Sequence, residues 1–148
     1  MKDRTYRYHA GPVLFPFGYG LSYSRFTFSR PAVGPATVQA GSSIEVHAKV
    51  TNAGRLEGDA VAELYLFPPQ MEGAPLLSLQ GFRRIHLKPG ETRDVAFTLD
   101  PRQMSLVNAQ GERAVTAGDY KVGVGGSIDE ARTHQSAIHI AGTFPLPE

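Results

Sequence analysis

Ile44, Val46, Ala48 and Val50 alternate with Glu45, His47 and Lys49, a period of two that predicts a half-buried β-strand. The same alternation recurs in Arg25-Phe26-Thr27-Phe28-Ser29, in Val95, Phe97 and Leu99, and in Tyr120, Val122 and Val124. Ala60 to Phe67 is a further β-rich run with Leu64 and Leu66 on one face, and Pro68-Pro69 ends it because proline cannot donate to a ladder. Leu79 to Leu87 reads as a strand broken around Gly81, and Ala137-Ile138-His139-Ile140 as the last strand.

Turn chemistry separates these runs. Thr51-Asn52-Ala53-Gly54 is expected to turn through positive φ at Asn or Gly, and Lys88-Pro89-Gly90-Glu91 is a second turn signal. Pro31 to Gly41, rich in Pro, Gly and Ala, is expected to be loop. Asp100 before Pro101 predicts one capped helical turn, and Asn108-Ala109-Gln110-Gly111 a hairpin. No segment predicts a long amphipathic helix. Seven or so strands joined by Gly/Pro turns imply an all-β, antiparallel two-sheet sandwich of the fibronectin type III or immunoglobulin kind. Tyr120, opening a late strand after Ala117-Gly118-Asp119, is expected to pin a corner through its hydroxyl.

The first 28 residues break the pattern. They hold eight of the chain's fourteen aromatic residues, namely Tyr6, Tyr8, Phe15, Phe17, Tyr19, Tyr23, Phe26 and Phe28, most of them set among glycines and prolines. Neither a helical nor a strand period organises residues 1–24. Such ring density needs a surface to cover it, so this strap is expected to dock against a neighbouring domain through Phe15, Phe17, Tyr19 and Tyr23. The opening residues read as the middle of a longer chain. The expected organisation is a strap over 1–24, a sandwich over 25–142 and a tail over 143–148.

Length and composition change this picture little. The 148 residues suffice for one domain with a full core, and 41% apolar with 20% charged residues is ordinary for a globular fold. A formal charge of +1 without a clustered basic face argues against nucleic acid as a partner, and no apolar run is long enough to cross a membrane as a helix. Met1-Lys2-Asp3 leads straight into Arg4-Thr5-Tyr6 without the apolar stretch of a signal peptide. With no cysteine, disulfides and thiolate metal sites are excluded.

Candidate chemistry is sparse. Glycoside hydrolysis needs two facing carboxyl groups with unlike environments. Glu45, Glu57, Asp59, Glu91, Asp94, Asp119, Asp129 and Glu130 fall instead on predicted turns or outward faces, with Glu57 and Asp59 forming a polar turn. His9, His47, His86, His134 and His139 are scattered without metal-ligand spacing. Gly123-Val124-Gly125-Gly126 closes a strand and is expected to lack the helix a phosphate loop requires. The loop Pro68 to Pro75 projects from the fold and is read as a surface loop, or as one that shapes access to a neighbouring cleft. No catalytic residue, metal or cofactor is assigned.

Several segments resemble one known family. Val13-Leu14-Phe15-Pro16-Phe17-Gly18-Tyr19-Gly20-Leu21-Ser22-Tyr23-Ser24-Arg25-Phe26 is similar to the strap entering the C-terminal fibronectin type III-like domain of family 3 glycoside hydrolases. Val50-Thr51-Asn52-Ala53-Gly54 with Glu57 to Val61, then Glu63-Leu64-Tyr65-Leu66, resemble the stretch that follows it. Leu79 to Ile85, Leu87 to Thr92, and Gly118-Asp119-Tyr120 through Gly126 resemble later motifs in the same order. There are departures: Ala60 stands where the family often has an acid, Glu63 where it often has glutamine, and tryptophan is absent.

The resemblance implies a non-catalytic accessory domain of a β-glucosidase or β-xylosidase. It would stabilise and orient the catalytic domains preceding it in the parent chain, which the resemblance implies is a secreted or periplasmic bacterial enzyme. In the family the nucleophilic aspartate lies on a separate (β/α)8 barrel, so no catalytic residue transfers to a position here. Two alternatives stay open: a carbohydrate-binding module using Tyr19 and Tyr23 on an oligosaccharide, and an adhesive sandwich domain of a cell-surface protein.

Overall fold

The computed structural model describes residues 5–18, 20 and 22–147. In chain order the first strands are β1 (Phe26–Phe28), β2 (Ala32–Val33), β3 (Thr37–Gln39), β4 (Ile44–Asn52), β5 (Gly58–Phe67), β6 (Ser78–Leu87) and β7 (Thr92–Leu99). Helix α1 (Pro101–Met104) follows, then β8 (Leu106–Val107), β9 (Arg113–Val115) and β10 (Gly118–Gly125). Helix α2 (Ile128–Thr133), β11 (Gln135–Ala141) and β12 (Phe144–Pro145) complete the chain.

Two sheets carry the architecture. In one, β4 pairs with β7 along one edge and with β1 and β2 along the other. The second runs β3-β11-β10-β5-β6, and β12, β9 and β8 form a small third sheet beside them. Period-two patterning explains the main interface: Ile44, Val46, Ala48 and Val50 of β4 face Ala60, Ala62, Leu64 and Leu66 of β5 and Tyr120, Val122 and Val124 of β10 in one buried core.

The structure departs from the sequence reading in places that have physical causes. Pro31 to Gly41 is not all loop, because β2 pairs with β4 and β3 pairs with β11. Two- and three-residue edge strands are too short to print a period on the sequence. The β3–β11 pairing is parallel, the exception among otherwise antiparallel ladders. The break expected at Gly81 is a bulge: Leu64 pairs with Gly81 and Tyr65 with Leu79, leaving Gln80 as the extra residue. Past β11 the chain continues into β12, where Phe144 pairs with Val115 and Leu146 packs on the core.

A helix does follow the glycine run. Ser127 caps α2 through its hydroxyl, which accepts from the Glu130 backbone N–H, and Ile128 and Ala131 are buried on one side. Six residues are too few for a visible helical period. The glycines are the floor beneath it: a Cβ on Gly123 would lie 2.1 Å from the Ala131 carbonyl oxygen, and one on Gly125 2.6 Å from Glu130 Cβ.

Other expectations hold. Asp100 caps α1 with Gln103 in a reciprocal box. Asn108 Oδ1 accepts from Gln110 and Glu112 N–H to close the β8–β9 hairpin. Tyr120, fully buried, donates its hydroxyl to the Thr116 carbonyl at 3.1 Å, the corner expected of it.

Candidate functional site

The leading segment is held to the sandwich at three places. Residues 5–9 form a turn in which Tyr8 and His9 N–H donate to the Thr5 carbonyl, and Leu76 N–H donates to Arg7 O at 2.7 Å. Farther on, Ile128 N–H, at the start of α2, donates to Phe17 O at 3.1 Å. At the sandwich entrance Ala53 N–H donates to Arg25 O at 2.7 Å, and Ser24 Oγ donates to Asn52 Oδ1 at 2.6 Å.

Between these anchors lies a second small core on the outer face of the β5–β10 sheet. Tyr65, Leu77, Ile128 and Ala131 are buried there, with Tyr6, Leu76 and Leu79 packed around them. The Tyr6 ring stacks on Phe17, centroids 4.2 Å apart and planes 13° from parallel, while its hydroxyl accepts from Leu79 N–H. One half of the strap is thus cemented to the sheet. Sequence alone gave Tyr6 no such role, since nothing in the pattern separates an anchoring ring from its neighbours.

The other half faces outward. Leu14 is 94% exposed, Phe15 72% and Tyr23 97%, with Val13 also open. Of the four residues expected at the contact, Phe15 and Phe17 line one cavity of about 340 Å³ together with Tyr6, Ile128 and Arg132. Tyr23 stands apart from that cavity, and Tyr19 lies outside the described residues.

Asn52 ties the strap to the β4 turn. Its side chain, with no exposed area, donates to Leu56 O at 2.8 Å and Leu87 O at 3.0 Å, and accepts from Ser24 Oγ and Gly54 N–H. Gly54, expected to supply a positive φ, does not have one. Its requirement is space: a Cβ there would lie 2.1 Å from Ser24 Oγ and 2.8 Å from Arg25 N.

Under the strap, Tyr65 donates its hydroxyl to Glu63, and burial pushes the Glu63 carboxyl above the ordinary range against that hydrogen bond, with Glu130 adding repulsion. Burial, then the Glu63 carboxylate, hold the Tyr65 phenol far above its usual value. Gly18, at φ +84°, lies so close that a Cβ would meet Glu63 Oε2 at 2.3 Å. Glu63 is half-buried and does not line the groove between strap and sheet.

Glu57 and Asp59 are engaged in surface ion pairs. Asp59 accepts from Arg84 and from His86 Nδ1 at 2.7 Å, and His86 Nε2 lies 3.4 Å from Glu57. The hydrogen bonds from His86 and Arg84 hold the Asp59 carboxyl below its usual range, and Asp59, then Glu57, raise His86. His47 and His139 make similar exposed pairs with Glu45 and Asp119. Among the described residues no group of three His, Cys, Asp or Glu converges as metal ligands would.

Comparison with known proteins agrees with this architecture. The fibronectin type III-like domain family matches residues 60–128. A β-xylosidase of Formosa agariphila is 37% identical over 131 residues, which cover 86% of this chain and 18% of that protein. A periplasmic β-glucosidase of Salmonella typhimurium is 35% identical over 139 residues, 92% of this chain and again 18% of the relative. Among solved structures, a β-glucosidase from Erythrobacter marinus superposes with a TM-score of 0.80 at 29% identity, covering 86% of this chain and 17% of that one. The chain therefore spans under a fifth of the length of these relatives. It belongs to the fibronectin type III-like domains carried by family 3 β-glucosidases and β-xylosidases.

Proposed function

We propose that this chain is a non-catalytic C-terminal accessory domain of a family 3 glycoside hydrolase acting on β-glucosides or β-xylosides. Residues 25–142 act as the rigid body and the strap, residues 1–24, as the contact that orients the catalytic domains of the parent chain. The observation that carries this reading is the division of the strap. Tyr6 and Phe17 stack on each other against the sheet, while Leu14 and Tyr23 are almost wholly exposed and Phe15 keeps most of its ring surface open. Contacts between domains of one chain commonly bury ~600–1,500 Å², and these side chains would be central to such a patch.

The test is a chimera in which this chain replaces the matching segment of the Formosa agariphila β-xylosidase. The chimera is expected to turn over nitrophenyl xyloside, and the isolated chain to show no turnover. Replacing Leu14, Phe15 and Tyr23 by serine in the chimera should shorten its half-life on heating about tenfold, a loss of ~1.4 kcal/mol or more of barrier. The same triple change should leave the melting temperature of the isolated chain in place. Equal half-lives of the two chimeras would refute the docking role.

A further inference from the structure

Arg7, Arg102 and Arg113 line one cavity of about 400 Å³ on the side of the molecule bounded by the 68–75 loop. They arrive from three elements: the strap turn, helix α1 and strand β9. No aspartate or glutamate lines this cavity, and among the described residues none of the three guanidinium groups is paired with a carboxylate. In a chain of net charge +1, three unneutralised arginines around one hollow are a concentration of positive potential that a ligand anion would relieve.

The arginines are positioned as well as gathered. Arg113 is half-buried, and its Nη1 donates to Ser105 Oγ at 3.0 Å, while that hydroxyl donates to the Arg102 carbonyl. This fixes one guanidinium at the cavity wall and leaves its other N–H groups to a ligand. Guanidinium forks match carboxylates in a two-point geometry that lysine cannot offer. The rest of the wall is uncharged and mixes apolar Leu66, Pro68, Leu106 and Val107 with polar Tyr8, Ser78 and Gln80. Gln80 donates its amide to Ser78 Oγ at 2.6 Å, which leaves the Ser78 hydroxyl hydrogen and the Gln80 carboxamide oxygen open to a neutral hydroxyl-bearing partner.

We propose that this cavity binds a carboxylate-bearing sugar, a hexuronate, with the arginines on its carboxylate and the Ser78–Gln80 pair on its ring hydroxyls. An inorganic oxyanion would satisfy the arginines alone, yet the volume falls within the ~300–1,000 Å³ of small-molecule pockets and the second polar pair would go unused. The site meets the strap at Arg7 and Tyr8, and Leu14, Phe15 and Tyr23 do not line it. It goes beyond the accessory role above, and either one stands if the other fails.

The experiment titrates the 148-residue chain with D-glucuronate, D-glucose and sodium sulfate, followed by amide chemical shifts. Glucuronate is expected to saturate at millimolar concentration and to move the resonances of Ser78, Gln80, Arg102 and Arg113. Glucose and sulfate should each bind about tenfold more weakly, and added salt should weaken glucuronate. Arg102→Gln, at an exposed position, should keep the melting temperature and lower glucuronate affinity about fivefold or more, the loss of one charge-assisted contact. Arg113→Gln should do the same with a larger drop. No saturation by about 50 mM, a weaker Kd than ~50 mM being outside specific recognition, would overturn the proposal. So would sulfate or glucose binding as tightly as glucuronate, or wild-type affinity in Arg102→Gln.

Discussion

Replacing Asn52 by alanine tests the joint between strap and sandwich directly. The side chain makes four hydrogen bonds: two donated to the Leu56 and Leu87 carbonyls, two accepted from Ser24 Oγ and the Gly54 N–H. The Leu87 contact is fully buried, so its carbonyl would lose a partner that water cannot replace, at ~1–3 kcal/mol. The other three are part-buried and would cost ~0.5–1.5 kcal/mol each where solvent reaches them poorly. Together these costs span ~2.5–7.5 kcal/mol; because water partly replaces the part-buried bonds, the truncation should remove the lower part of that range, about 3–5 kcal/mol, a large share of the ~5–15 kcal/mol typical of a domain. At ~2–4 °C per kcal/mol for a chain near 150 residues, the midpoint should fall by about 6–20 °C in thermal unfolding followed by circular dichroism. Asn52→Asp is the sharper control. It keeps both accepted bonds, loses both donated ones and places a carboxylate where no area is exposed, so its instability should deepen as pH rises. Ser24→Ala, which removes one of the four bonds, should cost no more than ~1.5 kcal/mol. A midpoint for Asn52→Ala within about 3 °C of the parent, under the smallest shift those costs allow, would refute this account of the joint.

Three further outcomes follow from the same structure. Gly54→Ala should destabilise by ~1–3 kcal/mol through overpacking against Ser24 and Arg25, although its φ is not in the left-handed region; an unchanged midpoint would show that the strap yields at that point. Glu63→Gln should raise the melting temperature at neutral pH and lose that advantage in acid. The raised carboxyl favours the folded state fully below its unfolded pKa, and that benefit is lost as pH climbs through the higher folded value; a gain independent of pH would contradict this. Tyr120→Phe deletes the bond to the Thr116 carbonyl and should cost ~0.5–1.5 kcal/mol in chemical denaturation, with activity of the chimeric enzyme unaffected.

The strands of the main core were legible because each is half-buried and at least eight residues long in β4, β5, β7 and β10, enough for a period of two to stand out. Tyr120 and the Asp100 cap were legible because a single residue type at a defined place performs each task. What the sequence concealed depends on which side chains the fold presses together. Gly54 looks like a turn glycine until Ser24 is placed on top of it, and Gly123 and Gly125 look like a loop until Ala131 and Glu130 are seen against them. Glu63 reads as one more strand acid, and only the strap crossing over it at Gly18 separates it from the exposed carboxylates around it. Phe15 and Tyr23 are exposed, and Tyr6 was not distinguishable in the sequence as the ring that holds the strap down. Arg7 and Arg102 are 95 positions apart, and nothing local links them.

Strand β6 ends its sheet, and the edge of a sheet is the kind of template on which a second polypeptide can add and start a fibril. Its own irregularity guards against this. The extra residue Gln80 throws the hydrogen-bonding groups out of step midway, and Arg83 and Arg84 set two cations on the stretch that remains. A detached copy carrying sticky rings on its strap should therefore clump through those rings, reversibly, and not by zipping sheets together.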